Sequence, residues 1–158
     1  MVRITPEVQE MLRKQKFIVV GSVDLNGLAN LSPRTSFTFG EDTICWLDFF
    51  KHKSHINFKS VPWVSVAVFD AKKLKGFQLK GKVTFVTDPK QKSEIVDKIT
   101  RSVTGATSSK VFERMNEGKP PDVVMFKTKA IYSLSPEETS GVALVLDTDG
   151  ETVSLLGI

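Results

Sequence analysis

Residues 17–37 read FIVVGSVDLNGLANLSPRTSF. Phe17 to Val23 is apolar enough for a buried strand. Asn26-Gly27 marks a tight hairpin, because both residues tolerate positive φ. Leu28 to Phe39 returns as a second strand that breaks into hydroxyls and a cation at Ser32-Pro33-Arg34-Thr35-Ser36. Gly40-Glu41-Asp42 is the next turn, and Thr43 to Phe50 a third strand. Strand, turn and strand in succession predict an antiparallel meander.

Upstream, Thr5-Pro6-Glu7 is a helix start: a hydroxyl N-cap, a proline in the first turn and an acid near the positive end. Downstream, Ser54 to Ser60 reads as a short helix stopped by Pro62. Trp63 to Phe69 is a fourth strand with Val64, Val66 and Val68 on one face. A fifth follows the Asp70–Lys75 turn, with Phe77, Leu79, Gly81, Val83 and Phe85 alternating with polar residues. Asp88-Pro89 opens a helix, and a second helix after Gly105 carries Val111, Phe112 and Met115. Asp122 to Leu134 is a sixth strand, with Val124, Phe126, Ala130, Tyr132 and Leu134 on one face. Val142 to Leu146, Asp149-Gly150 and Thr152 to Leu156 read as a C-terminal hairpin. Six core strands with hairpin connections predict a closed antiparallel barrel with covering helices. A sandwich is the main alternative.

The 158 residues and net charge of +4 suit one domain, residues 1–158, and an anionic small ligand better than nucleic acid. Cys45 is the only cysteine, placed as core in a reducing, cytoplasmic protein. No apolar run approaches the roughly 20 residues that cross a bilayer, and the N-terminus reads as an amphipathic helix rather than a signal peptide.

Two segments stand out chemically. The hydroxyls and guanidinium of Ser32, Arg34, Thr35 and Ser36 suit phosphate oxygens, or simply a solvent-facing strand. Lys51-His52-Lys53-Ser54-His55 opens a short helix, where backbone N–H groups attract anions; Ser54 is also a plausible N-cap. The two converge on one phosphate if the second and third strands pair. Gly76, at a strand start, permits close approach by a flat group. His52 and His55 lack companions for a metal site, and none is expected. No Ser-His-Asp or Cys-His constellation, P-loop or Rossmann glycine fingerprint stands out. The aromatics are mostly core candidates, with Phe49, Phe50 and Trp63 as possible dimer contacts.

Three segments together resemble the FMN-binding split barrels related to pyridoxamine 5′-phosphate oxidase: FIVVGSVDLNGLANLSPRTSF, HKSHINFKSVPWVSVAVFD and GFQLKGKVTFVTD. The resemblance spans residues 5–135 and implies a mainly β fold with helices. That fold is a six-stranded antiparallel split β-barrel of Greek-key type, with covering helices and a C-terminal hairpin over 140–158. It implies FMN, a homodimer with the ring at its interface, and electron or hydride transfer through the flavin with a small-molecule or protein partner. Carried over, Ser32, Arg34, Thr35, Ser36, Lys53 and Ser54 are phosphate or ribityl ligands. Phe37 also falls in the cofactor-binding set. Leu47 and Asp48 approach the cofactor largely through backbone, Asn57 lies on the short helix, and Gly76 lies near the flavin. The chain ends VALVLDTDGETVSLLGI, without the arginine- and tryptophan-containing segment of the pyridoxamine phosphate oxidases proper, so vitamin B6 oxidation is not expected. The rivals are a deazaflavin or haem in the same groove, with His52 or His55 as axial ligand, and a non-enzymatic basic barrel for single-stranded nucleic acid.

Overall fold

A computed structural model describes residues 1–103, 105–118, 120–136 and 141–152, apart from the side chains of residues 106–108, 112 and 116. The chain runs α1 (Pro6–Gln15), β1 (Ile18–Val23), β2 (Ala29–Arg34), β3 (Phe37–Phe39), β4 (Thr43–Asp48), α2 (Lys53–Ser60), β5 (Trp63–Asp70), β6 (Lys75–Phe85), α3 (Pro89–Ser102), α4 (Gly105–Asn116), β7 (Asp122–Ser133) and β8 (Ala143–Leu146). The strands form one antiparallel sheet in the order β2-β1-β5-β6-β7-β4-β3, with β8 on β7.

The mainly β architecture agrees with the expected split barrel, but the described residues form eight strands rather than six. The run Leu28–Phe39 is not one strand. Its first half pairs with β1 and its second half with β4, at opposite ends of the sheet order. Thr35 and Ser36, between the halves, let one segment bridge the split. Only β3 therefore joins β4; the half carrying Ser32 and Arg34 does not. The β1–β2 connection is also longer than the expected tight hairpin. Gly27 alone has positive φ there, at 81°, and the Asp24 carboxylate accepts from the backbone N–H of Asn26 and Leu28 at 2.8 and 2.9 Å.

Alternation along β7 slips. Lys80 pairs with Ala130 and Gly81 with Thr128, so Lys129 is an extra residue on β7. A bulge of this kind moves later side chains to the other face. Ile131 and Ser133 are buried in place of the expected Tyr132 and Leu134. Gly81 is required beside the bulge: a Cβ there would lie 2.0 Å from the Lys127 carbonyl oxygen. At the C-terminus, Ala143–Leu146 pairs with β7 as a strand, whereas Thr152 lies in a helical turn instead of the second hairpin arm. The rest of that expected arm falls outside the described residues.

Two apolar clusters hold the sheet. Trp46, Val20, Val66, Leu79 and Phe126 fill the barrel side, sealed by Val8 and Leu12 of α1. Leu47, Val123, Ile99 and Val111 join the opposite face of β4 and β7 to α3 and α4. Strand β4 is therefore buried on both faces, and burial pushes the Cys45 thiol up to about 11. Ile44, Trp46 and Asp48 alternate along one face of β4.

Candidate functional site

Asn30, Ser32 and Arg34 share one face of β2, while Ala29, Leu31 and Pro33 are exposed on the other. Helix α2 stands across from the polar face. Asn30 Nδ2 donates to Ser54 Oγ at 2.8 Å, and Asn57 Nδ2 to Ser22 Oγ at 3.1 Å, fastening α2 to the β1–β2 pair. Between them opens a cleft of ≈ 640 Å³, whose walls include Ser32, Arg34, Phe50, His52, Lys53 and Ser54. Two segments 20 residues apart in sequence thus face one space.

Arg34 is mostly buried. Its Nη1 donates to Ser32 Oγ and to the Pro33 carbonyl oxygen, the latter at 3.2 Å. Nη2 lies 3.8 Å from Asp48 Oδ1. Burial lowers its pKa and Asp48 opposes the shift, yet a guanidinium stays charged at any working pH. Its Nε is buried without a hydrogen-bond partner. Lys53 is exposed and, among the described residues, has no acid within ion-pair distance.

Helix α2 starts at Lys53 with His52, not the expected Ser54, at the N-cap position, and no side chain caps it. An uncapped start leaves backbone N–H groups without acceptors at the positive end of the helix. Lys53 and Ser54 occupy that first turn and line the cleft. Open N–H groups, two cations, two hydroxyls and an orphaned guanidinium N–H form a donor set that fits a phosphate dianion.

The other expected residues are dispersed. Thr35 and Ser36 line an adjoining cavity of ≈ 340 Å³ on the far side of Phe50, with Lys110 and Arg114 of α4. Phe37 is buried in the barrel core. Leu47 is buried against α3 and α4, and its N–H donates to the Ser36 carbonyl at 3.1 Å. Asn57 faces Ser22 rather than the cleft. Gly76 packs against the neighbouring strand, where a Cβ would meet Phe69 Cβ at 2.8 Å, and it lines no part of the cleft. Asp48 lies behind Arg34, buried beside His55. Asn30 and Phe50 also line the cleft; the sequence offered Phe50 only as a dimer contact and did not single out Asn30. Asn30 was within reach of sequence reasoning, being two residues before Ser32 on the same strand face.

Asn30 and Leu31 also help to line a second, apolar recess of ≈ 560 Å³, together with Val61, Trp63, Val64 and Gln78. Among the described residues no cluster of His, Cys, Asp and Glu is arranged to hold a metal ion, and no helix is long and apolar enough to cross a membrane.

The chain belongs to the pyridoxamine 5′-phosphate oxidase family, whose N-terminal family model matches residues 4–141. Comparison with curated proteins finds no match. Among solved structures it is similar to HupZ of Group A Streptococcus, at 19% identity and a TM-score of 0.67 over 87% of this chain and 99% of that one. It is also similar to HutZ, the heme storage protein of Vibrio cholerae, at 14% identity and a TM-score of 0.67 over 83% of this chain and 94% of that one. An FMN-binding protein of Syntrophomonas wolfei subsp. wolfei matches at 20% identity and a TM-score of 0.58, over 84% of this chain and 87% of that one. These likenesses establish the split-barrel fold. Of these similar structures, one is an FMN-binding protein and one a heme storage protein.

Proposed function

We propose that this chain is a homodimeric, single-domain FMN-binding flavoprotein of the oxidoreductase type, other than a pyridoxamine phosphate oxidase. The observation behind it is the convergence of Ser32 and Arg34 with Lys53 and Ser54 on one cleft at an open helix start. Arg34, held from behind by Asp48, and Lys53 neutralise the phosphate; the hydroxyls and the first-turn N–H groups orient it. The recess lined by Leu31 and Trp63 would receive the isoalloxazine, and the exposed Leu31 beside it would be covered by a second copy of the chain. When bound, the flavin supplies the hydride or electron transfer, so the protein needs no acid, base or nucleophile of its own. Its residues bind, orient and exclude water.

A haem in this groove has one accessible imidazole, His52, because both ring nitrogens of His55 face carboxylates. The deciding experiment is the absorption spectrum of the purified protein with mass identification of the ligand released on denaturation. A flavin spectrum and the mass of FMN are expected; a Soret band or a deazaflavin mass overturns the assignment. Charge-assisted bonds contribute about 1.5–3 kcal/mol each. Arg34→Ala with Lys53→Ala should therefore weaken FMN binding by roughly 10²–10⁴-fold while the fold persists. Unchanged occupancy would move the phosphate site elsewhere.

A further inference from the structure

Asp48 and Asp122 stand directly opposite each other in the β4–β7 ladder. Like charges in that position destabilise a sheet. Asp48 is in addition almost wholly buried, and a buried carboxylate is costly unless donors face it. Packing alone would favour an apolar pair here.

The ring of His55 stands between the two acids. Its Nδ1 is 3.2 Å from Asp48 Oδ2 and its Nε2 is 3.6 Å from Asp122 Oδ2. The ring is buried and packs edge-on against Phe85, with centroids 4.9 Å apart. Asp122 has cations of its own, Lys51 at 3.7 Å and Lys92 at 3.9 Å. Asp48 has two partners, one for each oxygen: His55 at Oδ2 and Arg34 at Oδ1. One carboxylate thus joins a buried imidazole to the guanidinium that enters the cleft. Neither Asp48 nor His55 lines the cleft itself.

Resting on the phosphate-cleft reading, we propose that His55 and Asp48 are positioning residues for anion binding. The imidazole fixes the carboxylate, and the carboxylate fixes the Arg34 fork toward the phosphate. A long, flexible side chain loses rotamer freedom when it binds; holding it beforehand removes part of that cost. The like-charged cross-strand pair is retained because one of its members does this work on Arg34.

The test titrates FMN, riboflavin and inorganic pyrophosphate against the wild type and variants. His55→Leu keeps the volume and removes the donor; His55→Asn restores a donor toward Asp48. His55→Leu should weaken FMN and pyrophosphate at least tenfold and leave riboflavin within twofold, and His55→Asn should recover most of the loss. Added to Arg34→Ala, His55→Leu should cause little further loss, as expected for two residues acting through one contact. Additive losses, equal weakening of FMN and riboflavin, or no effect would overturn the proposal. Should His55→Leu fail to fold, Asp48→Asn enters the same cycle with Arg34→Ala; failure of both to fold assigns the pair to stability alone and also overturns it. A wild type that binds pyrophosphate but not FMN sinks the flavin assignment, while the pyrophosphate titrations still decide the positioning role. A wild type that binds neither sinks both.

Discussion

Helices α3 and α2 begin differently. At α3 the Asp88 carboxylate accepts from the Gln91 backbone N–H at 2.8 Å, and Pro89 stands in the first turn. At α2 the N-cap is His52, with no capping bond and no proline in that turn. Helix α1 follows the α3 pattern, with Thr5 accepting from Val8 N–H at 3.5 Å. Each start presents orphan N–H groups and a positive dipole end. Where the chain caps α1 and α3 from its own sequence, it leaves α2 open beside Arg34 and Lys53. Such a contrast within one fold supports the proposal that the acceptor at α2 comes from outside.

Closing the open end gives the largest effect. His52→Asp puts a good N-cap at α2 and a negative charge at the cleft. It should raise stability by about 0.5–1 kcal/mol and weaken FMN binding at least tenfold, read by thermal melting and by flavin fluorescence titration. Stabilisation with undiminished FMN affinity would break the contrast. Opening the closed end gives a smaller effect. Asp88→Ala should cost about 1 kcal/mol, a fall in Tm of roughly 2–4 °C for a chain of this size, with FMN affinity unchanged. The smallest signal comes from Cys45, buried between the barrel and α3, with Lys98 of α3 near its thiol. Its raised pKa means the folded state holds the proton more tightly than the unfolded chain. That contribution is complete below the usual thiol value near 8.5 and is lost as pH rises toward about 11. Thiol labelling of the native protein at pH 8 should therefore be slow, and should stay slow in Asp88→Ala. Fast labelling of that variant would mean the substitution loosens α3 packing and does more than remove a cap.

Much of this frame was open to sequence reasoning. The alternating valines of β5 are buried as spaced, Thr5 is the N-cap expected of it, and α3 opens at Asp88-Pro89 as expected. The break at Thr35-Ser36 was hidden, because each half of that run chooses a different partner strand and the choice is tertiary. The slip at Lys129 was hidden too, since a bulge accepts almost any residue; Gly81 was its only local trace. In the candidate site, Ser32, Arg34, Lys53 and Ser54 were readable as basic and hydroxyl residues on short elements. Phe37, Leu47, Asn57 and Gly76 do not line this cleft, and residue type alone does not say which face of an element is covered. His55 was weighed only as a metal or haem ligand, since its carboxylate neighbours arrive from β4 and β7, far apart in sequence.

The central claim is that the cleft between β2 and the α2 start recognises a phosphate group. The direct measurement is a pair of titrations of the apo protein, one with FMN and one with riboflavin, which differ in that group alone. FMN should bind at least a hundredfold more tightly, with the margin shrinking as salt is added. Equal affinities, or binding of neither, would contradict the account.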